Sequence, residues 1–274
     1  MDELHASGAG LAVEPSVAEF DPGIDIVRDI ARGGLAGLVV GFVVAGFGSR
    51  LAMRVAALLV PQSTGLTTEN GFPIGRITLD GSLALIVFGG VAATVFLAAT
   101  WVVIAPWLPH RLGRRALISI PIAIAFGTSA LVDARNPDFS VLRRDPLVVT
   151  TLVLLVAALG PAMTLVDAWL DRVLPRPVTW SSGAALGYAS LSAIGALLAT
   201  ALVLQAAFDP RGRAFGLTML ATGVCTFAWW LQRTRGDTAP GRTLQRTAWA
   251  VLATGTLVGL ATLLPDLRGA LGWR

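Results

Sequence analysis

Seven stretches of this chain stay apolar for about twenty residues each, the length that crosses a bilayer core of about 30 Å. They run roughly over 33–60, 81–105, 116–133, 146–170, 182–208, 214–231 and 244–264, the sixth being the shortest. In hydrocarbon no water satisfies a backbone N–H or C=O, so a spanning segment must be a helix or part of a closed barrel. These runs are long and lack strict alternation, which selects helices. The expected fold is an all-α integral membrane protein, a bundle of about seven transmembrane helices joined by short loops. Composition agrees: 54% of residues are hydrophobic and 14% charged, against about 25% charged in a soluble domain.

The ends are polar. Residues 1–27 carry Asp2, Glu3, Glu14, Glu19, Asp21 and Asp25, with Pro15 and Pro22 opposing helix. They lack the basic start and small-residue cleavage site of a signal peptide and read as a flexible acidic tail, with room for a short surface helix at Asp25–Ile30. The bundle is expected over 28–265, with a short C-terminal tail at 266–274. A cytoplasmic N-terminus puts eleven flanking arginines inside and eight outside, the sign that the positive-inside rule requires. The expected location is therefore the cell membrane, with the N-terminus in the cytoplasm. Most of the eight tryptophans fall near run ends, as interfacial anchors do.

Residue usage excludes several chemistries. All 21 basic residues are arginine, so no lysine can form a Schiff base. Cys225 is the single cysteine, and the two histidines, His5 and His110, lie in the tail and a loop. A cysteine zinc cage and a haem held by paired histidines are ruled out. No metal or cofactor is expected. There is no Gly-rich phosphate loop with lysine and no basic block suited to nucleic acid. No hydroxyl is paired in sequence with a histidine base, and the chain is expected not to be an enzyme.

Two patterns remain. Gly33, Gly37, Gly41, Ala45 and Ser49 recur every four residues along the first helix. In lipid such a stripe lets backbones approach closely, which is ordinary bundle packing or a contact with a partner helix or second copy. The other pattern is Arg50 and Arg54, four apart and on one helix face. A guanidinium near mid-membrane costs at least about 2.5 kcal/mol, so it faces a partner or a wet cavity. If the helices alternate, the loops after the first and third runs share its side. They bring Glu69, Asn70, Arg76, Asp133, Asn136 and Asp138. These residues are expected to form an outer vestibule that attracts an anionic solute or lipid headgroup, or an Arg–Asp network that pins the loops, with Asp133 as counter-ion. A second acidic pair, Asp167 and Asp171, could in principle hold magnesium. Its spacing from the neighbouring motifs does not fit that use, and the pair is expected to mark an interfacial helix end near Arg172.

Two functions follow as expectations. One is a small permease or channel-like protein using the arginine vestibule. The other is a non-catalytic accessory subunit of a membrane complex, packing through its small-residue faces. The expected partners are the lipid bilayer, a membrane protein or second copy, and an anionic solute or lipid, with no nucleic acid.

Overall fold

The computed structural model describes residues 21–61, 65, 83, 90–131, 145–177, 179–209 and 212–271. They form seven helical segments, with no strand among the described residues. In chain order these are α1 (Pro22–Leu59), α2 (Gly90–Ile104), α3 (Leu112–Leu131), α4 (Pro146–Val173), α5 (Gly183–Phe208), α6 (Arg213–Thr234) and α7 (Arg242–Leu271). A 3-10 turn, Ala105–Trp107, extends α2. Six of them are long and apolar enough to cross a membrane. Among the described residues α3 is not one of the six, whereas the shortest run in the sequence, now α6, is.

Local chemistry sets the helix starts. Asp21 accepts the N–H of Gly23 at 2.7 Å, with Pro22 in the first helical position. Asp145 does the same for Leu147 at 2.8 Å, followed by Pro146. Proline is tolerated there because its missing N–H would have no intrahelical partner anyway. Ser182 caps α5 by accepting from Ala185. The first helix thus begins inside the stretch assigned to the acidic tail, since Pro22 starts the helix rather than blocking it. The last helix likewise runs through Pro265 to Leu271, beyond the expected boundary at 265. Ala270, fully buried against Val149, holds that final turn down.

The small stripe of α1 divides in two. Gly33, Gly37 and Gly41 face Val102, Ala98 and Thr94 of α2. A Cβ at Gly37 would stand 2.6 Å from the nitrogen of Ala98 and 2.7 Å from its Cα, closer than real Cβ contacts come. Between Gly41 and Phe47 the helix widens into a π turn. Residues four apart no longer share a face across such a turn. Ala45 and Ser49 line a cavity instead of a tight contact. Gly160 of α4 makes a second close approach, to the backbone of Ser119 in α3.

The helices alternate in direction. The core they share includes Trp101, Phe126, Met163, Met219 and Leu252. Within it Phe96 stacks on Phe215, centroids 4.8 Å apart, and Phe126 meets the same ring edge-on at 5.5 Å. The periphery is α5, with 6% of its spanning stretch buried.

Candidate functional site

At the end of the bundle where α1 begins, four aspartates and five arginines meet. Asp25, Arg28, Asp29 and Arg32 are spaced three and four apart, so they share one face of the first turns of α1. Asp167 and Asp171, four apart, share a face at the end of α4. Because α1 and α4 run in opposite directions, these two faces come together.

Arg28 is 4% exposed and closes the end of α4. It donates from Nη2 to the carbonyls of Asp171 (2.8 Å) and Leu174 (3.2 Å), and from Nε to Pro175 (3.3 Å). Its Nη1 meets Asp171 Oδ1 at 2.9 Å. The last carbonyls of a helix lack intrahelical donors and carry partial negative charge, so a guanidinium there satisfies both. Arg32 donates from Nε to Asp167 Oδ1 at 2.8 Å and from Nη1 to Asp171 Oδ1 at 2.6 Å. Arg115, at the start of α3, approaches the second oxygen of Asp167 at 3.1 Å. Arg233, at the end of α6, donates to Asp29 at 2.8 Å and lies 3.5 Å from Asp25. Arg176 completes the group, 3.6 Å from Asp171.

Asp167 is 2% exposed and buried inside the bundle, while Asp171 stands partly exposed in the last turn of α4. The carboxylates are paired with Arg28, Arg32, Arg115 and Arg176.

A cavity of about 560 Å³ opens beside this network. Arg32, Arg115 and Arg233 reach it from three helices. Five of the eight tryptophans also line it: Trp101, Trp107, Trp229, Trp230 and Trp249. Trp101 and Trp107 are each 3% exposed, so they build the site instead of anchoring an outer surface. The guanidinium of Arg115 sits over the ring of Trp101, 4.9 Å from its centroid, a cation–π contact. Trp107 donates to Thr226 Oγ1 at 2.9 Å, which fixes α2 to α6 beside the cavity.

A second cavity, of about 420 Å³, lies further along the bundle between α1, α2, α3 and α4. Its wall is almost wholly apolar, with Phe96, Ile122, Phe126, Leu159 and Met163. Among the described residues Trp101 is the single one that lines both cavities. Three donors here are buried without a hydrogen-bond partner among the described residues: Trp101 Nε1 and Thr100 Oγ1 in this wall, and Nε of Arg115 in the wall of the polar cavity. A buried donor left unpaired costs about 1–3 kcal/mol.

The vestibule expected at the opposite end is only partly placed. Arg50 is half-buried and Arg54 exposed. Glu69, Asn70, Arg76, Asp133, Asn136 and Asp138 lie outside the described residues. Sequence reasoning passed over Arg28, Arg32, Arg115 and Arg233, which had counted only toward orientation. The available signal was Asp25–Arg28–Asp29–Arg32 on one face and Asp167–Asp171 on another, two complementary charged faces one helical turn in pitch. No protein-family model, curated protein or solved structure matches this chain.

Proposed function

We propose that this chain is a multi-pass protein of the cell membrane with seven spans and a cytoplasmic N-terminus. It binds an anionic solute or lipid headgroup in the arginine-lined cavity at its cytoplasmic end, as a small permease or channel-like protein does, without catalysis. One observation carries this: three guanidiniums from α1, α3 and α6 converge on a single cavity that five tryptophans also line, and they outnumber the two carboxylates in its wall, Asp29 and Asp167. Guanidinium forks match carboxylate and phosphate oxygens, and a cavity of this size falls within the range of about 300–1,000 Å³ usual for ligand sites. The same end carries the arginine excess that the positive-inside rule assigns to the cytoplasm. The site therefore differs from the Arg50–Arg54 vestibule, whose loop partners are not described.

Native mass spectrometry of the full chain, extracted gently from its host membrane, tests this reading. The expected result is a retained anionic mass that is lost in Arg233→Gln and kept in Arg50→Gln/Arg54→Gln. Loss only in the second variant would move the site to the other end and refute the proposal.

A second reading, an accessory subunit, draws support from α5. Gly187 and Gly195 have nothing within 4 Å of where a Cβ would stand, and Leu186, Ile194 and Leu197 around them are exposed. A stoichiometric polypeptide retained in the same spectrum, crosslinked through a cysteine at Gly187, would favour it.

A further inference from the structure

The anion site has an apolar extension. We infer that its ligand is a single-chain anionic amphiphile, with its headgroup among Arg32, Arg115 and Arg233 and its alkyl chain past Trp101 into the apolar cavity. This rests on the anion-binding reading above and adds the chemical class of the ligand.

Three observations join here. The first is adjacency: Trp101 lines both cavities, so a molecule seated at the guanidiniums has the apolar cavity as its neighbour. The second is polarity. The outer cavity carries arginine, aspartate, His110 and Gln245, while the inner wall is alanine, leucine, isoleucine, phenylalanine and methionine with few hydroxyls. A small hydrophilic anion has no use for the inner cavity, and a neutral lipid has none for the outer one. The third is charge. Among the described residues the wall of the polar cavity carries three guanidiniums, Arg32, Arg115 and Arg233, against two carboxylates, Asp29 and Asp167, leaving one positive charge unbalanced. A monoanionic headgroup neutralises it. Nε of Arg115 is buried with no hydrogen-bond partner among the described residues, and its guanidinium stands on the ring of Trp101, the residue the two cavities share.

The site therefore suits a fatty carboxylate or another alkyl monoanion better than a compact inorganic ion. Among the described residues the apolar cavity meets the headgroup cavity at Trp101 alone, which suits one alkyl chain better than two.

Titration of the full chain in nanodiscs with propionate, butyrate and hexanoate, followed by ligand-observed NMR, tests the inference. Each methylene buried from water tightens binding by up to about fourfold, so hexanoate should bind at least about tenfold more tightly than propionate. Hexanol and hexylamine, of matched length without the negative charge, should bind at least about tenfold more weakly than hexanoate. Ala123→Leu and, separately, Ala93→Leu place bulk in the inner cavity. They should abolish the chain-length dependence and leave propionate binding unchanged.

Equal affinity for propionate and hexanoate, both lost in Arg233→Gln, would overturn the amphiphile inference and keep the anion site. Chain-length dependence that survives both filling variants would also overturn it. Binding that is absent for every carboxylate, or indifferent to Arg233→Gln, would overturn the anion site itself.

Discussion

Asp167 holds two guanidiniums on one carboxylate, Arg32 at 2.8 Å and Arg115 at 3.1 Å, while only 2% exposed. Removing one partner of such a buried group strands the other charges and costs about 3–5 kcal/mol. Asp167→Ala should therefore lower the thermal unfolding midpoint in detergent sharply, as differential scanning fluorimetry would record. Arg176→Ala is the contrast. Its side chain is 62% exposed and 3.6 Å from Asp171, and an exposed pair contributes about 0–1 kcal/mol. An equal loss in both variants would mean that burial does not govern this network. At this scale the sequence was only half legible. Arg50 and Arg54 drew attention because they interrupt an apolar run. The arginines of the network sit at run ends, where a charged residue ordinarily meets water, so nothing in their local sequence sets them apart. The burial of Arg28 and Arg32 follows from Asp167 and Asp171, over a hundred residues away.

The helices themselves were legible, because apolar length alone demands them in lipid. Their ends were less so. Pro22 and Pro265 both look like helix breakers, yet the first occupies the start of α1 and the second lies within α7. Contacts decide such cases: Asp21 caps the first, and Ala270 packs on Val149 beyond the second. The glycine stripe was visible as a pattern, but its division at the π turn was not, since no residue spacing announces a change of helical pitch. A paired substitution examines the stripe. Gly37→Ala puts a Cβ against the backbone of Ala98 and should destabilise by about 1–3 kcal/mol, the usual cost of overpacking. Gly187→Ala meets nothing within 4 Å and should be neutral or stabilise by about 0.5–1 kcal/mol through helix propensity. Chemical unfolding of both variants in mixed micelles supplies the comparison, and a stable Gly37→Ala protein would contradict the close α1–α2 approach.

Across the whole molecule, alternation of the seven helices gathers the start of α1, the end of α2, the start of α3, the ends of α4 and α6 and the start of α7 around one cavity. Orientation follows from labelling single cysteines in a Cys225→Ala background. Asp237→Cys, in the turn after α6, should react with a membrane-impermeant maleimide only after cells are opened. Asp209→Cys, at the opposite end of the bundle, should react in intact cells. The reverse pattern would put the arginine cavity outside. The most direct measurement on the central claim is a crystal structure of the full chain with 6-bromohexanoate, located by the anomalous signal of its bromine. The account predicts the carboxylate against Arg115 and Arg233, with the bromine among Phe96, Ile122 and Met163. A carboxylate seated at Arg50 and Arg54, or a bundle with no bound ligand at saturating concentration, would contradict it.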